Sequence, residues 1–278
     1  MLALVTCREA REVDTDLPLL VRELPDAVVA DWDDEGVDWS AFDVIVLRSP
    51  WDYHRRRDEF LAWAAAASSV SRLWNPIEVV EWNTDKRYLD DLADDGIPTV
   101  PTSFLTDVGA VDRFEHDGGF VGDVVVKPSV GASASGVLLT HDEPTAAAGH
   151  ARALLRSGLT PMVQTYLRDV EAAGETALVY LGGAFSHGVR RRVVLPPAGT
   201  DGDVLGDERS EARRPTAAER WLGDAVIARL PDTAYARIDL LPTVEGPVVL
   251  EVEVTEPSLF LHLDDGAPAR AAAAFRSL

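Results

Sequence analysis

The chain has 278 residues, 46% of them hydrophobic, with a mean hydropathy of −0.02 and a formal net charge of −21. Such a length and composition fit a globular protein of one large domain or two to three subdomains, and the acidity argues against nucleic acid as a partner. A single cysteine, Cys7, excludes an intrachain disulfide and a cysteine-based zinc site.

In chain order, Leu2 to Thr6 reads as a buried strand. Leu17 to Leu24 reads as a helix with Pro18 in its first turn, and Ala27 to Ala30 as a second strand. Val44 to Leu47 has no polar residue and reads as a third strand covered on both faces. Arg55 to Ala67 follows as a helix. This alternation argues for a small parallel sheet, whose ligands lie beyond the carboxyl ends of its strands. Arg48-Ser49-Pro50-Trp51-Asp52-Tyr53 falls at that place. Arg48, Ser49 and Trp51 are therefore candidate substrate contacts, although Trp51 and Tyr53 suit packing equally well.

Asn75-Pro76 opens a new unit. A helix holds Lys86, Tyr88, Leu89 and Leu92 and stops at Gly96, and Pro98 and Pro101 fix an extended segment. Strands are expected at Val121 to Lys127, Val137 to Leu139 and Met162 to Tyr166, with a helix from Thr145 to Leu155. Residues 97–163 thus form a compact α+β unit. Later strands are expected at Glu175 to Tyr180, Ala184 to Val194, Ala234 to Leu240 and Val248 to Val254. Thr216 and Glu219 form a capping box at a helix start. Pro196 to Pro215 lacks periodicity and reads equally as a mobile substrate loop or an ordinary surface loop. No apolar stretch approaches the ~20 residues that span a bilayer, and the N-terminus does not read as a signal peptide, so a soluble cytoplasmic protein is expected.

Lys86 and Lys127 are the only lysines among 26 basic residues. Codon bias explains their scarcity but not their positions. Lysine is a compact charge on a flexible stem and arginine a broad planar fork, so a tight site beside phosphate favours the former. Lys127 ends a strand and precedes Gly131-Ala132-Ser133-Ala134-Ser135-Gly136, where small residues let backbone N–H groups approach phosphate oxygens. Val137 follows Gly136, so this is not a Walker A loop. By itself the run would read as a plain glycine-serine hairpin. Together with Lys86 it points to a bound polyphosphate.

Glu251 and Glu253 share one strand face, and Asp239 joins them if the two late strands are neighbours. Converging carboxylates repel unless a cation sits between them, and Mg²⁺ takes a few carboxylates plus substrate phosphates. The alternative is a solvated face with alternating charge. Arg237 shares the face of Asp239. On the strand from Ala184 to Val194, Ser186, Arg190 and Arg192 lie on one face and His187 and Arg191 on the other, and only one set can face a site.

In this order, these elements resemble the ATP-grasp superfamily. The resemblance runs from about Asn75 to Ser258 and rests on Lys86, Gly96-Ile97-Pro98, Lys127 with Gly131 to Gly136, Gln164-Thr165-Tyr166-Leu167, and Asp239 with Glu251. Within it the chain looks like the glutathione synthetase-like carboxylate–amine ligases. Ser186 to Arg191 and Glu251 to Ser258 look most like the branch of the O-ureido-serine cyclo-ligase of D-cycloserine biosynthesis. The implied fold is α/β with α+β subdomains: a pre-ATP-grasp parallel-sheet domain over 1–82 and an ATP-grasp domain over 83–278, with a lid at 97–163 and a metal- and substrate-binding part at 164–278.

The resemblance further implies that Lys86, Lys127, Ser133, Ser135 and Gly136 hold ATP phosphates. Gln164, Tyr166 and Leu167 would hold adenine, and Glu171 or, preferably, Glu175 the ribose. Asp239, Glu251 and Glu253 would bind Mg²⁺, with two ions expected, and Arg237 and Arg191 would act on the reacting groups. His187 and Ser258 join Arg48, Ser49 and Trp51 as substrate contacts, the choice of the His187–Arg191 face resting on the resemblance alone. Most such ligases have asparagine where this chain has Glu253. Many carry Gly-Asp-Phe-Arg where it has Gly206-Asp207-Glu208-Arg209, which leaves Arg209 without a transferable role. The implied reaction activates a carboxylate of a small amino-acid-like substrate as an acyl phosphate, for attack by an amine or an internal nucleophile. A kinase on the same fold and a nucleotide-binding protein without turnover are the alternatives. Homodimers are common among such ligases, and the sequence marks no interface.

Overall fold

The computed structural model describes residues 1–132, 135–192 and 209–278. Its first strands are β1 (Leu2–Thr6), β2 (Val28–Asp31), β3 (Val44–Ser49) and β4 (Arg72–Trp74), in a parallel sheet of order β2-β1-β3-β4. Helix α1 (Leu17–Glu23) lies between β1 and β2 and α2 (Arg57–Val70) before β4. All six residues of β3 are buried, as an uninterrupted apolar run requires. Alternation splits the sheet's side chains. Leu4, Val44 and Val46 pack with α1, while Ala3, Val5, Ile45 and Leu47 pack with Trp32, Phe60 and Ala64.

Helices α3 (Ile77–Asn83) and α4 (Tyr88–Asp94) follow. The expected helix is α4, and Lys86 stands in the turn just before it rather than in its first turn. β5 (Thr102–Phe104), α5 (Val108–His116), β6 (Asp123–Pro128), β7 (Leu138–His141), α6 (Pro144–Arg156) and β8 (Pro161–Thr165) build an antiparallel sheet of order β5-β8-β6-β7. β4, α3 and α5 are short and gave the sequence no clear period. In β6 burial alternates, so Val124 and Val126 enter a core with Ala147, Ala151 and Leu154 of α6. Val125 and Lys127 therefore point to the opposite, open face.

The remaining elements are α7 (Asp169–Ala173), β9 (Glu175–Leu181), β10 (Ala184–Arg192), β11 (Arg209–Ala212), α8 (Ala217–Ile227), β12 (Tyr235–Thr243), β13 (Gly246–Glu253) and α9 (Ala267–Arg276). Their strands form an antiparallel sheet of order β11-β10-β9-β12-β13. Thr216 and Glu219 form the expected capping box ahead of α8. Leu178, Tyr180, Ala236, Ile238 and Val252 pack with Leu222 and Val226 of α8 and with Tyr88, Leu89 and Leu92 of α4. With one face of this sheet filled by a core, its alternate residues face the other way. Helix α9 crosses back to the first sheet, where Ala271 and Phe275 pack beside Leu4, Leu20 and Tyr235.

Candidate active site

A cleft of about 360 Å³ opens between the two antiparallel sheets. One wall is the open face of β6 and β8: Val125, Lys127, Gly131, Ala132, Ser135 and the segment Gln164 to Leu167. Gln164 is buried and its side-chain amide donates to Thr102 Oγ1 at 2.9 Å, so that side chain is occupied elsewhere. Tyr166 donates its hydroxyl to Glu171 at 3.3 Å, and Glu171 is exposed and off the cleft wall. Gly136 sits behind the loop with φ +69°, where a Cβ would also meet Pro128 at 3.2 Å. Ser133 and Gly206 to Glu208 lie outside the described residues.

The lysines meet at the cleft from different elements. The Lys86 backbone N–H donates to Ser129 O at 2.8 Å, and its Nζ donates to Gly131 O at 2.8 Å and pairs with Glu251 at 3.0 Å. Burial works against its charge, but Glu251 more than offsets this and holds the pKa above the ordinary lysine value. Lys127 has no carboxylate within ion-pair distance among the described residues; burial, and the neighbouring Lys86 charge, push its pKa down.

The other wall is a single face of β9, β10, β12 and β13. Asp239 is the cross-strand partner of Glu251, and Arg237 of Glu253. Asp239 also opposes Ala177, two residues from Glu175, and Glu175 opposes Arg191. All six charged side chains therefore share a face, and all line the cleft. The register shifts after Asp239, which brings Leu250 to the cleft along with Glu251. Arg191 donates to Asp239 at 2.7 Å and to Glu175 at 3.3 Å. Arg237 grips Asp239 through Nε and Nη2, both at 2.9 Å, and also pairs with Glu253. The question left open by the β10 sequence is answered: His187 and Arg191 share the cleft side, while Arg190 pairs with Glu211.

The charges here are set by competition between burial and pairing. Burial raises Glu175 despite Arg191. For Glu251 burial is outweighed by Lys86 and Lys127, and its pKa falls below the ordinary value. Burial pushes Glu253 up to about 8 against the pull of Arg237, and Glu256 up to about 7 against Lys86. For Arg237, Asp239 and Glu253 overcome burial and raise the pKa.

A third element closes the cleft. The carbonyls of five consecutive residues after β13 each accept from a different side chain. Tyr235 donates to Thr255 O (2.8 Å), Trp51 to Glu256 O (2.9 Å), Arg48 to Pro257 O (3.1 Å), Arg237 to Ser258 O (3.0 Å) and His187 to Leu259 O (2.9 Å). Asp16 accepts from the backbone N–H groups of Leu259 and Leu261 at 2.5 and 2.8 Å. Phe260, at φ +50°, presents its ring to Arg191 and Arg237 at 5.8 and 5.5 Å.

Trp51 and Ser258 thus reach the cleft wall as expected. Arg48, Ser49 and His187 do not. Arg48 is buried against Tyr235, Ser49 shares a hydrogen bond with Thr6 at 2.9 Å, and His187 is buried under Leu259. Because the Leu259 carbonyl can only accept, His187 Nε2 carries its proton, and burial lowers the His187 pKa. Glu256 and Asp16 were missed. Glu256 had a signal, standing in the same Glu-Pro-Ser run as Ser258; Asp16 had none.

Comparison with known proteins fits this arrangement. Residues 2–75 match the N-terminal domain family of the D-cycloserine synthetase DcsG. The cycloserine biosynthesis protein DcsG of Streptomyces lavendulae is 36% identical, over 96% of this chain and 95% of that protein. The chain belongs to the DcsG family. A crystal structure of D-cycloserine synthetase DcsG aligns with a TM-score of 0.88 and 33% identity, over 99% of this chain and 98% of the other. The fold of the DcsG family extends to more distant proteins. A RimK domain ATP-grasp protein from Sphaerobacter thermophilus aligns with a TM-score of 0.69 and 18% identity, over 99% and 98% of the two chains. The D-alanine–D-alanine ligase of Bacillus anthracis complexed with ATP aligns with a TM-score of 0.67 and 15% identity, over 99% and 96%. The fold is ATP-grasp, as the order of motifs implied.

Proposed function

We propose that this chain is an ATP-dependent C–N ligase, and specifically a cyclo-ligase that closes the cycloserine ring from an O-ureido-serine-like substrate. The observation that carries the reading is the facing of the two walls. Lys127 stands on one wall of a single cleft and Arg237, Asp239 and Glu251 on the other, with Lys86 reaching both through Gly131 O and Glu251. Membership of the DcsG family supports the choice of substrate.

In this reading ATP lies along β6 and β8, with adenine against Val125 and the backbone of Gln164 to Leu167. Lys86, Lys127, Ser135 and the backbone around Gly131 face the phosphates, and Glu175 the ribose. The sheet carrying Lys127 acts as the lid, within a division of the chain near residue 82. Among the described residues no three His, Cys, Asp or Glu side chains form a ready cage for a metal. Mg²⁺ needs no such cage, because it binds one or two carboxylates together with substrate phosphates. The cross-strand pair Asp239 and Glu251 fits that demand, with Glu253 on the same face, and two ions are proposed. Bound Mg²⁺ would neutralise charge developing on the phosphoryl oxygens.

The substrate carboxylate attacks the γ-phosphate, giving an acyl phosphate and ADP; the oxygen-bound nitrogen of the same molecule then displaces phosphate to close the ring, and water removes the carbamoyl group as carbon dioxide and ammonia. The protein's part is to position and to stabilise charge. Arg237 is fixed by Asp239, Glu253 and Ser258 O, so its guanidinium is preorganised beside the reacting carboxyl, with Arg191 next to it. The test is incubation with Mg²⁺, ATP and O-ureido-D-serine, read by mass spectrometry and phosphate release. D-cycloserine with ADP, free phosphate, carbon dioxide and ammonia is the expected result. A phosphorylated substrate would mean a kinase, and ATP binding without turnover would overturn the ligase reading.

A further inference from the structure

The cleft is lined by four cationic side chains, Lys86, Lys127, Arg191 and Arg237, and by five carboxylates, Glu175, Asp239, Glu251, Glu253 and Glu256. Four of these carboxylates have a cation within ion-pair distance. Arg191 serves Glu175 and Asp239, Arg237 serves Asp239 and Glu253, and Lys86 serves Glu251. Glu256 is different. Among the described residues no lysine or arginine pairs with it. Lys86 acts on it from beyond ion-pair distance and is committed to Glu251 and Gly131 O, and the Tyr53 hydroxyl that also acts on it is neutral.

Glu256 is also held in place from behind. Its own carbonyl accepts from Trp51, and the next two carbonyls accept from Arg48 and Arg237, all three donors being on other elements. A backbone fixed at three successive carbonyls presents its side chain in one direction. That side chain lines the cleft, as Ser258 does. A half-buried carboxylate with no cation at ion-pair distance is poorly compensated, and ATP, an anion, cannot relieve it. A cationic substrate group can. The ligand class fits, because an amino-acid-like substrate brings a carboxylate for Arg237 and an ammonium separated from it by one carbon.

We propose that Glu256 is a substrate-binding residue that receives the α-ammonium group of the amino-acid-like substrate, and so orients the carboxylate toward Arg237. The inference rests on the ligase reading and adds the group that recognises the substrate's amine. It also makes Trp51 and Arg48 positioning residues, acting through the Glu256 and Pro257 carbonyls.

The experiment compares wild type and Glu256→Gln with two probes: O-ureido-D-serine, and the same molecule without its α-amino group. ADP release gives KM for each probe and for ATP, and inhibition by the deaminated probe gives its binding constant. In the near-isosteric Glu256→Gln, KM for the amino probe should rise about 10- to 100-fold, as expected for loss of a charge-assisted hydrogen bond, with KM for ATP within about 2-fold. The deaminated probe should bind wild type and variant alike, and wild type should bind it about 10- to 100-fold more weakly than the amino probe. That last measurement needs no variant and stands if Glu256→Gln fails to fold. Equal binding of both probes by wild type, or an equal loss for both in the variant, overturns the assignment. If wild type turns over the amino probe and the variant matches it, only this inference fails. If wild type binds ATP but turns over neither probe, the ligase reading fails as well.

Discussion

The two walls of the cleft differ in kind. The wall on β6 and β8 carries one formal charge, Lys127, among Val125, small loop residues and the Gln164 to Leu167 backbone. The facing wall carries six charged side chains on one sheet face, cross-linked by Arg191, Arg237 and Lys86. The first offers shape and backbone polarity, which suits a ligand that must bind and leave. The second is a fixed lattice of charge, which suits stabilising a transition state, where preorganised dipoles need not reorient. Removing one member of a buried pair leaves the other uncompensated. Damage to the charged wall should therefore be large and touch both rate and stability. Damage to the other should leave stability alone, be confined to ATP, and be small except at its one charge, Lys127.

The hardest test is Arg237→Met. It should lower kcat/KM by about 10²- to 10³-fold, and it should also lower Tm, because Asp239 and Glu253 lose a buried partner; calorimetry and steady-state rates check both. Lys127→Arg should cost about 10²-fold in kcat/KM for ATP, since the planar fork does not replace a compact ammonium, with circular dichroism and Tm unchanged. Wild-type turnover in that variant would remove the phosphate role. Glu251→Gln should raise the Mg²⁺ concentration for half-maximal rate by at least about 10-fold, a cost that even outer partners of a metal site show. On the quiet wall, Val125→Ala should raise KM for ATP by about 5-fold, the worth of one to two buried methylenes, and leave kcat alone. A loss there as large as that of Arg237→Met would erase the contrast between the walls.

The smallest effect concerns His187 and pH. Burial holds its folded pKa below the ordinary 6.5, so the unfolded chain takes up a proton first as pH falls. Its contribution is fully present above pH 6.5 and is lost as the pH drops toward the folded value. His187→Asn should therefore show a shallower fall in Tm between pH 8 and pH 5.5, measured by calorimetry across that range.

Much of the charged wall was legible, because a period of two fixes which strand residues share a face. Arg237, Asp239, Glu251 and Glu253 could be grouped from spacing once β12 and β13 were taken as neighbours. The run from Lys127 to Gly136 and the Thr216–Glu219 capping box were equally local. What escaped the sequence is long-range. Arg48 was read as a substrate contact because it leaves the end of β3, yet its guanidinium turns inward to Pro257, 209 residues away. Asp16 accepts from backbone groups 243 and 245 residues away, and no pattern in the first twenty residues announces that. Lys86 was placed at the start of the helix that holds Tyr88, Leu89 and Leu92, whereas the chain turns there to reach Ser129 and Gly131.

The row of clamped carbonyls from Thr255 to Leu259 bears on how this protein can be recombined. Every charged side chain that lines the cleft lies after Asn75, so a chimera that joins that portion to the parallel sheet of another ATP-grasp enzyme would look complete. It would still lack the Trp51 indole, the Arg48 guanidinium and the Asp16 carboxylate, which hold Glu256 to Leu261 from the front of the chain. Such a hybrid keeps every reacting group and loses the alignment of the strip that carries Glu256 and Ser258. Domain shuffling within this fold has to move that loop and its three front anchors as one inherited set.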